Sequence, residues 1–406
     1  MKKKKKMWRE PWDYKEGFTI AIVLVVLGFI MELIIGNNSV RLPSWPTNFI
    51  ILIFFIAYLV YTANFVKHHI IRFFSTTAAA ISSTVVFTAL ILIMGFVPQD
   101  ETRIPDFVAR LGIGSIKSSY AYLFSSLYLI TVLGFTIVKR LKNFNLRNIA
   151  FFLNHAGLWI ILATASLGSS DMVRLRMQID EGQTAMVAMD QYSNQYQLPF
   201  GIQLLDFKLT EYPPNLILYS SKDGKPVYEK EKGLEEVEEG KSFNVEGWTV
   251  TIDEFLPMAK MKEDLFYKDT TLGATHAAYI TAIKDTDTVK GWISPGNAFF
   301  KIIYLPLGDQ YDITMTYPMA KEYESEVKIF IMPEGEVRKE KISVNKPIKV
   351  KGYKIYQSGY DDVMGRWSFI SGFELIRDPW LPVVYTGFFM VLLGALYLLW
   401  TGKKQS

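Results

Sequence analysis

The sequence predicts a polytopic α-helical membrane protein of about six spans that carries a large, mainly antiparallel β domain outside the membrane. Three observations lead to this fold class. Six apolar stretches are each long enough to cross a bilayer. A long region between the fifth and sixth stretches contains no such run. Within that region, short segments alternate apolar and polar residues, as half-buried strands do.

The six candidate spans each contain about 18 or more predominantly apolar residues. Glu32 is the one acid within them, and its place near a span end predicts that it reaches water. The chain is thus divided into a membrane domain with about five spans (1–170), a β-rich domain (171–379) and a C-terminal span with a short tail (380–406). The spans cover residues 17–36, 48–66, 77–97, 118–138, 149–168 and 380–402.

Basic residues predict the orientation of the spans. With the N-terminus inside, the inner segments hold fifteen Lys and Arg residues, whereas the short outer loops hold four. This positive-inside bias places both termini in the cytoplasm and the β-rich domain outside. The lysine run at 2–6 precedes a span, so it is interpreted as a topology determinant near anionic lipid and not as a nucleic-acid site.

Composition excludes several kinds of chemistry. The 406-residue chain is 50% hydrophobic and contains no cysteine. Thiol–disulfide exchange, covalent haem attachment through CxxCH and thiolate metal sites are therefore excluded for this chain. The sequence also lacks a phosphate-binding glycine motif, a nucleophile elbow and an HExxH pattern.

The region 171–379 is predicted to be an antiparallel sandwich or barrel-like domain. Residues 260–272 are ambiguous between helix and strand. Segments 239–252 and 345–356 resemble each other, through shared hairpin turn chemistry, which we favour, or through an internal duplication. The clearest strand candidates are residues 248–255, 312–317, 327–332, 336–344 and 349–356.

His155 is the candidate functional residue, because it is the only histidine inside a span. An ionisable side chain there costs free energy and indicates a functional site. A neutral imidazole can ligate a metal or haem iron, relay a proton, or hydrogen-bond a neighbouring helix. His155 follows Arg147 by eight residues. At about 1.5 Å per residue, His155 is about 12 Å from Arg147 along the helix. Because the hydrocarbon core is about 30 Å thick, His155 is predicted to lie in its cytoplasmic half.

The other three histidines are interpreted as structural. His68 and His69 lie in a short inner loop flanked by basic residues, which favours anchoring at the interface over a role in haem entry. As neighbours in sequence, their side chains are expected to point apart. His276, the only histidine of the β-rich domain, is interpreted as a surface or strand residue.

Five short segments follow the motif order of a known family. They are residues 151–163, which include His155, and residues 174–183, 198–207, 352–361 and 377–387. Together they resemble the ResB/CcsB proteins of System II cytochrome c biogenesis. The resemblance covers roughly residues 148–402, and each segment alone is only moderately specific.

The resemblance implies a haem-handling subunit of a bacterial cytoplasmic-membrane complex that serves apocytochromes c together with a CcsA-like partner. His155 matches a histidine that is an axial ligand of haem iron within the membrane in that family. The partner's tryptophan-rich loop holds haem at the outer surface. No two of this chain's nine tryptophans are adjacent, so the attachment chemistry of the haem lyase is expected on the partner.

The competing hypothesis is a membrane-anchored structural or assembly module that binds no cofactor and scaffolds a partner. In such a module His155 would hydrogen-bond a neighbouring helix, for example through Ser or Thr. A transporter or sensor of small ligands fits less well, because no span is broken at its centre by Gly or Pro. The first two spans lie outside the motifs and are expected to contact a partner or lipid.

Overall fold

The computed structural model divides into two compact units, which are described separately. One unit comprises Met1–Met172 with Asp378–Ser406, and the other comprises Val173–Arg377. Several basic residues on which the predicted orientation depends lie outside the described part of the chain: residues 2–6, 9, 147 and 403–404. The structure describes residues 8, 10–35, 40–142, 144–145, 148–228 and 235–402.

The first unit is helical. In the described part of the chain, six of its helices are long and apolar enough to cross a membrane, which confirms that prediction; α3 and α5 are short. The helices are α1 (Tyr14–Ile35), α2 (Thr47–Phe65), α3 (His69–Phe73), α4 (Thr77–Phe96), α5 (Asp106–Arg110), α6 (Tyr120–Leu141), α7 (Ile149–Leu167) and α8 (Leu381–Gly402).

Two helices extend beyond the apolar run that predicted them. In α1, Glu16 accepts a hydrogen bond from the backbone N–H of Asp13 at 3.0 Å, the reciprocal contact of a capping box. The helix therefore begins at Tyr14 instead of residue 17. In α6, Lys139 and Arg140 continue the last turn to Leu141. Hydropathy marks the apolar core of a span, whereas capping and polar residues set its ends.

Small residues bring the long helices close together. α1 packs against α4 and α6, and α2 packs against α6 and α7, so the first two spans belong to the bundle. α7 and α8 form the closest pair. A Cβ on Gly157 would lie 2.7 Å from the carbonyl oxygen of Gly387, and the reverse distance is also 2.7 Å. Such backbone proximity is how helices pack in lipid without a hydrophobic driving force.

The prediction that Glu32 reaches water is wrong. Glu32 is only 3% exposed and accepts a hydrogen bond from the backbone N–H of Tyr120 at 2.7 Å. Tyr120 is the first residue of α6, where backbone N–H groups have no partner within the helix. The carboxylate therefore serves as a cap supplied by another helix.

The second unit is built from antiparallel strands, as predicted. They are β1 (Val173–Asp180), β2 (Thr184–Met189), β3 (Gln195–Glu211), β4 (Leu216–Ser220), β5 (Ser242–Val245), β6 (Trp248–Lys262), β7 (Leu265–Lys268), β8 (Thr275–Lys284), β9 (Asp287–Ile293), β10 (Leu305–Leu307), β11 (Tyr311–Met315), β12 (Ala320–Ile331), β13 (Glu336–Ser343), β14 (Ile348–Val350), β15 (Tyr353–Tyr360) and β16 (Ile370–Arg377).

These strands form two lobes, each with its own core. The first lobe is a nearly closed sheet in the order β13-β12-β3-β2-β1-β16-β15-β14 around a core that includes Phe200, Ile329 and Phe373. The second lobe is inserted between β3 and β12. It contains the sheets β5-β6-β8-β9, with β7 on β6, and β10-β11-β4, which share one core.

Turn geometry resolves the ambiguous segments. Residues 260–272 contain the hairpin of β6 and β7, with positive φ at Glu263 and Asp264. Residues 349–356, predicted as one strand, belong to β14 and β15, joined by a tight turn at Lys351-Gly352 with φ of 47° and 83°. The similar segment 239–252 turns at Glu246-Gly247 with φ of 47° and 84°. Both segments therefore share the positive-φ turn of two-residue hairpins.

Candidate functional site

His155 lies on α7, a helix that its neighbours contact on two sides. Trp159 donates its indole N–H to the carbonyl of Ile130 on α6 at 2.9 Å, and Gly157 lies against α8. His155 shares another face with Phe151 and Leu158, at helical spacings of four and three residues. Leu158 is 41% exposed and His155 is half-buried. The imidazole is therefore within reach of a molecule outside the chain.

One hydrogen bond fixes the tautomer of His155. Its Nδ1 lies 2.9 Å from the carbonyl oxygen of Phe151. A carbonyl only accepts, so Nδ1 carries the proton and Nε2 of the neutral ring keeps its lone pair. Among the described residues, none forms a hydrogen bond with Nε2.

This arrangement fits an axial ligand of haem iron. Histidines that ligate metals usually donate their other ring N–H to a carbonyl or carboxylate, which fixes the orientation of the ring. In the described residues no group of three or more His, Asp or Glu side chains could hold a metal ion. Among the described residues, His155 thus offers one nitrogen ligand and is not part of a larger metal-binding group.

Phe151 also connects His155 with α6. The Phe151 and His155 rings stack with their centroids 3.9 Å apart and their planes at 25°. The guanidinium carbon of Arg140 lies 5.0 Å from the centroid of the same Phe151 ring. The spacing of Phe151 and His155 could have predicted the first contact. The contact with Arg140 depends on how α6 and α7 meet, which no local pattern encodes.

His68 and His69 are placed differently from the expectation. His68 precedes α3, and its Nδ1 accepts a hydrogen bond from the backbone N–H of Ile70 at 3.3 Å. The two imidazole rings lie side by side with centroids 4.4 Å apart, because only His69 is inside the helix. The His69 ring also stacks on Trp12 at 6.2 Å.

His276 is a strand residue, as predicted, but it is buried and not on the surface. It lies on β8 and is 5% exposed. With Glu211 and Arg366 it forms what we call the Glu211 cluster. His276 Nε2 lies 3.2 Å from Glu211 Oε2 and 2.9 Å from Arg366 Nη2. Arg366 also donates from Nε to Glu211 at 2.6 Å, and its Nη2 contacts the same oxygen.

The Glu211 cluster joins the two lobes of the β unit. Glu211 ends β3 and Arg366 lies between β15 and β16, both in the first lobe, whereas His276 belongs to the second. Burial raises the pKa of Glu211, but its hydrogen bonds with His276 and Arg366 and the positive charge of Arg366 outweigh it, so the pKa lies below its ordinary value. The carboxylate is a fixed ionic partner and not a free base.

A small cleft lies beside the Glu211 cluster, with room for about 70 Å³. Trp367 lines it and donates its indole N–H to the carbonyl of Ala274 at 2.9 Å, a second bond between the lobes. In the described part of the chain, His276 Nδ1 is buried without a hydrogen-bond partner. We interpret the cluster as a joint that holds the lobes in one orientation.

Comparison with known proteins bears on this part of the chain. A family model described as the ResB-like family matches residues 300–370. The match confirms the predicted resemblance for this part of the chain, which includes one of the five motif segments, residues 352–361. The ResB-like region runs from the loop after β9 to the start of β16, so it includes Arg366 and Trp367. A comparison with curated proteins found no match.

Proposed function

We propose that this membrane protein is a haem-handling subunit of a System II cytochrome c synthase complex, which helps move haem across the cytoplasmic membrane for attachment to apocytochromes c. The ResB-like match supports a role in cytochrome c biogenesis. The observation that carries the haem assignment is the Nδ1–H of His155 held on the Phe151 carbonyl, which leaves the Nε2 lone pair available as a ligand.

Within this proposal, His155 ligates haem iron in the cytoplasmic half of the membrane, and a CcsA-like partner supplies the other ligand. Haem provides the iron centre and the vinyl groups that react with cysteine thiols of apocytochromes c. The chain's own contribution is to bind and orient the macrocycle. The attachment itself is assigned to the tryptophan-rich loop of the partner.

In the same proposal, the β unit lies outside the cytoplasmic membrane and acts as a scaffold or docking surface. Its two lobes are held together by the Glu211 cluster, which suits a rigid platform better than a catalytic centre. The basic inner segments support this orientation, because the positive-inside bias predicts both termini in the cytoplasm.

The competing structural module gains little support from the geometry. It requires His155 to hydrogen-bond a neighbouring helix, whereas the Nδ1 contact is with Phe151, one turn earlier on α7 itself. The test is co-purification of the full chain with its CcsA-like partner, followed by an absorbance spectrum. We expect a haem Soret band that depends on His155. A complex whose haem spectrum is the same with His155→Ala as with the wild-type chain would favour the structural module.

A further inference from the structure

A stack of three side chains connects α6 with the candidate haem ligand. The Phe151 ring contacts both the His155 imidazole, at 3.9 Å, and the Arg140 guanidinium, at 5.0 Å. Both groups contact the same aromatic ring, so the guanidinium lies close to the imidazole. Arg140 also donates from Nη2 to the side-chain oxygen of Asn148 at 3.2 Å, which positions it at the start of α7.

Among the described residues, the guanidinium uses few of its hydrogen-bond donors. Arginine has five N–H donors, and the contacts of Arg140 with described residues are those with Asn148 and Phe151. Within the same described residues it forms no ion pair with a carboxylate. Arg140 is exposed, in the last turn of α6. A positively charged, planar guanidinium near a candidate iron ligand can donate two parallel hydrogen bonds to a carboxylate.

The surroundings suit the rest of a haem molecule. Phe144 and Phe152 have ring centroids 5.3 Å apart, and Phe152 also contacts Phe151 at 5.6 Å. Phe144 is 56% exposed. Phe151 therefore lies between the charged and the ligating groups, with Phe152 and Phe144 next to it. Haem has the complementary distribution, with an apolar macrocycle, a central iron and two propionate carboxylates on one edge.

We infer that Arg140 binds a propionate of the haem held by His155, and so sets the orientation of the macrocycle in the membrane. This inference rests on the proposed haem function. The alternative is that Arg140 only anchors α6 at the membrane interface and complements its helix dipole. Lys139, the preceding residue, is exposed in the same turn and provides a matched control.

The test compares haem with haem dimethyl ester, in which both propionates are esterified, on the full chain in lipid nanodiscs. Empty nanodiscs correct for partition into lipid. The wild-type chain should bind haem about tenfold more tightly than the ester, the size expected for one hydrogen-bonded charge pair. The Arg140→Gln chain should bind haem and the ester equally, with the affinity that the wild-type chain has for the ester. Arg140→Lys should retain part of the preference for haem, and Lys139→Gln should retain all of it.

The outcomes separate this inference from the function on which it rests. If His155→Ala binds haem with the wild-type spectrum and affinity, both proposals are wrong. If binding depends on His155 but the wild-type chain does not distinguish haem from its ester, only the role of Arg140 is wrong. That role is equally wrong if Arg140→Gln keeps the preference. The wild-type comparison holds even if Arg140→Gln fails to fold.

Discussion

Asp171 accepts a hydrogen bond from the indole N–H of Trp380 at 2.6 Å, which links the end of α7 with the start of α8. The same Oδ2 atom accepts from Asn48 on α2 at 2.7 Å, and Oδ1 accepts from the backbone N–H of Trp45 at 2.7 Å. One carboxylate thus accepts from three donors, two at the start of α2 and one at the start of α8. These contacts, together with the Gly157–Gly387 approach, position the helix that carries His155.

Replacing Asp171 should loosen this end of the helical unit. Asp171→Ala leaves the donors of Trp380 and Asn48 without their acceptor, at a cost of about 1–3 kcal/mol. We expect a lower thermal unfolding midpoint for the purified full chain in detergent. Asp106→Ala, on the exposed face of the short α5, should leave the midpoint unchanged. Equal midpoints for the two variants would contradict this role of Asp171.

A methyl group at Gly157 should separate α7 from α8. The new Cβ would lie 2.7 Å from the Gly387 carbonyl oxygen, and relieving that overlap costs about 1–3 kcal/mol. Gly157→Ala should therefore lower the thermal midpoint and reduce accumulation in the membrane. Gly95→Ala is the control, because a Cβ there meets nothing within 4 Å. A Gly157→Ala protein as stable as the Gly95→Ala protein would show that this close approach is not required.

The Glu211 cluster should make the joint between the β lobes sensitive to acid. Because the pKa of Glu211 is lowered by its partners, its ionised form stabilises the folded state above the ordinary pKa of 4.5. That stabilisation is lost as the pH falls through the lower folded-state value. Trp367 lies at the joint and can report its opening by fluorescence.

Glu211→Gln tests this assignment. It should destabilise the joint by about 3 kcal/mol at neutral pH, since Arg366 loses its ionic partner, and should weaken the change in stability between pH 6 and pH 3. Glu263→Gln, in the exposed β6–β7 turn, should keep the wild-type profile. An unaltered pH profile in Glu211→Gln would show that Glu211 is not the source of the pH dependence of stability.

The orientation of the chain is open to a direct reporter experiment. A cytoplasm-dependent reporter fused after Gln405 should be active, and one inserted at Gly224, in the β unit, should be inactive. A reporter that works only outside the cytoplasm should give the opposite pair. An outer C-terminus would overturn the predicted topology and the placement of His155 in the cytoplasmic half.

Local sequence patterns predicted most of the fold. Hydropathy located the six long helices of the described residues, and alternation with turn residues identified the antiparallel strands, since both signals arise from neighbouring residues. His155 could be singled out because an ionisable residue is rare in an apolar span. The burial of Glu32 was missed because its partner, Tyr120, is 88 residues away.

The partners of the functional candidates required the three-dimensional structure. His276 contacts Glu211 at a separation of 65 residues and Arg366 at 90, so its burial has no local signature. In the sequence, Arg140 is one of the fifteen basic residues of the inner segments, but in the structure it stacks on Phe151 beside His155. Charge patterns predict which side of the membrane a loop faces, but not which ring its arginine contacts.

The most direct test of the proposed function is the haem content of the His155→Ala protein, co-purified with its CcsA-like partner. The substitution removes one nitrogen ligand and leaves an apolar helix that should still insert. We expect normal accumulation, little membrane-embedded haem and few mature c-type cytochromes, with partial recovery on addition of imidazole. His68→Ala, His69→Ala and His276→Ala should each retain far more haem. Full haem content and full cytochrome maturation in His155→Ala would contradict the assignment of His155 as the ligand.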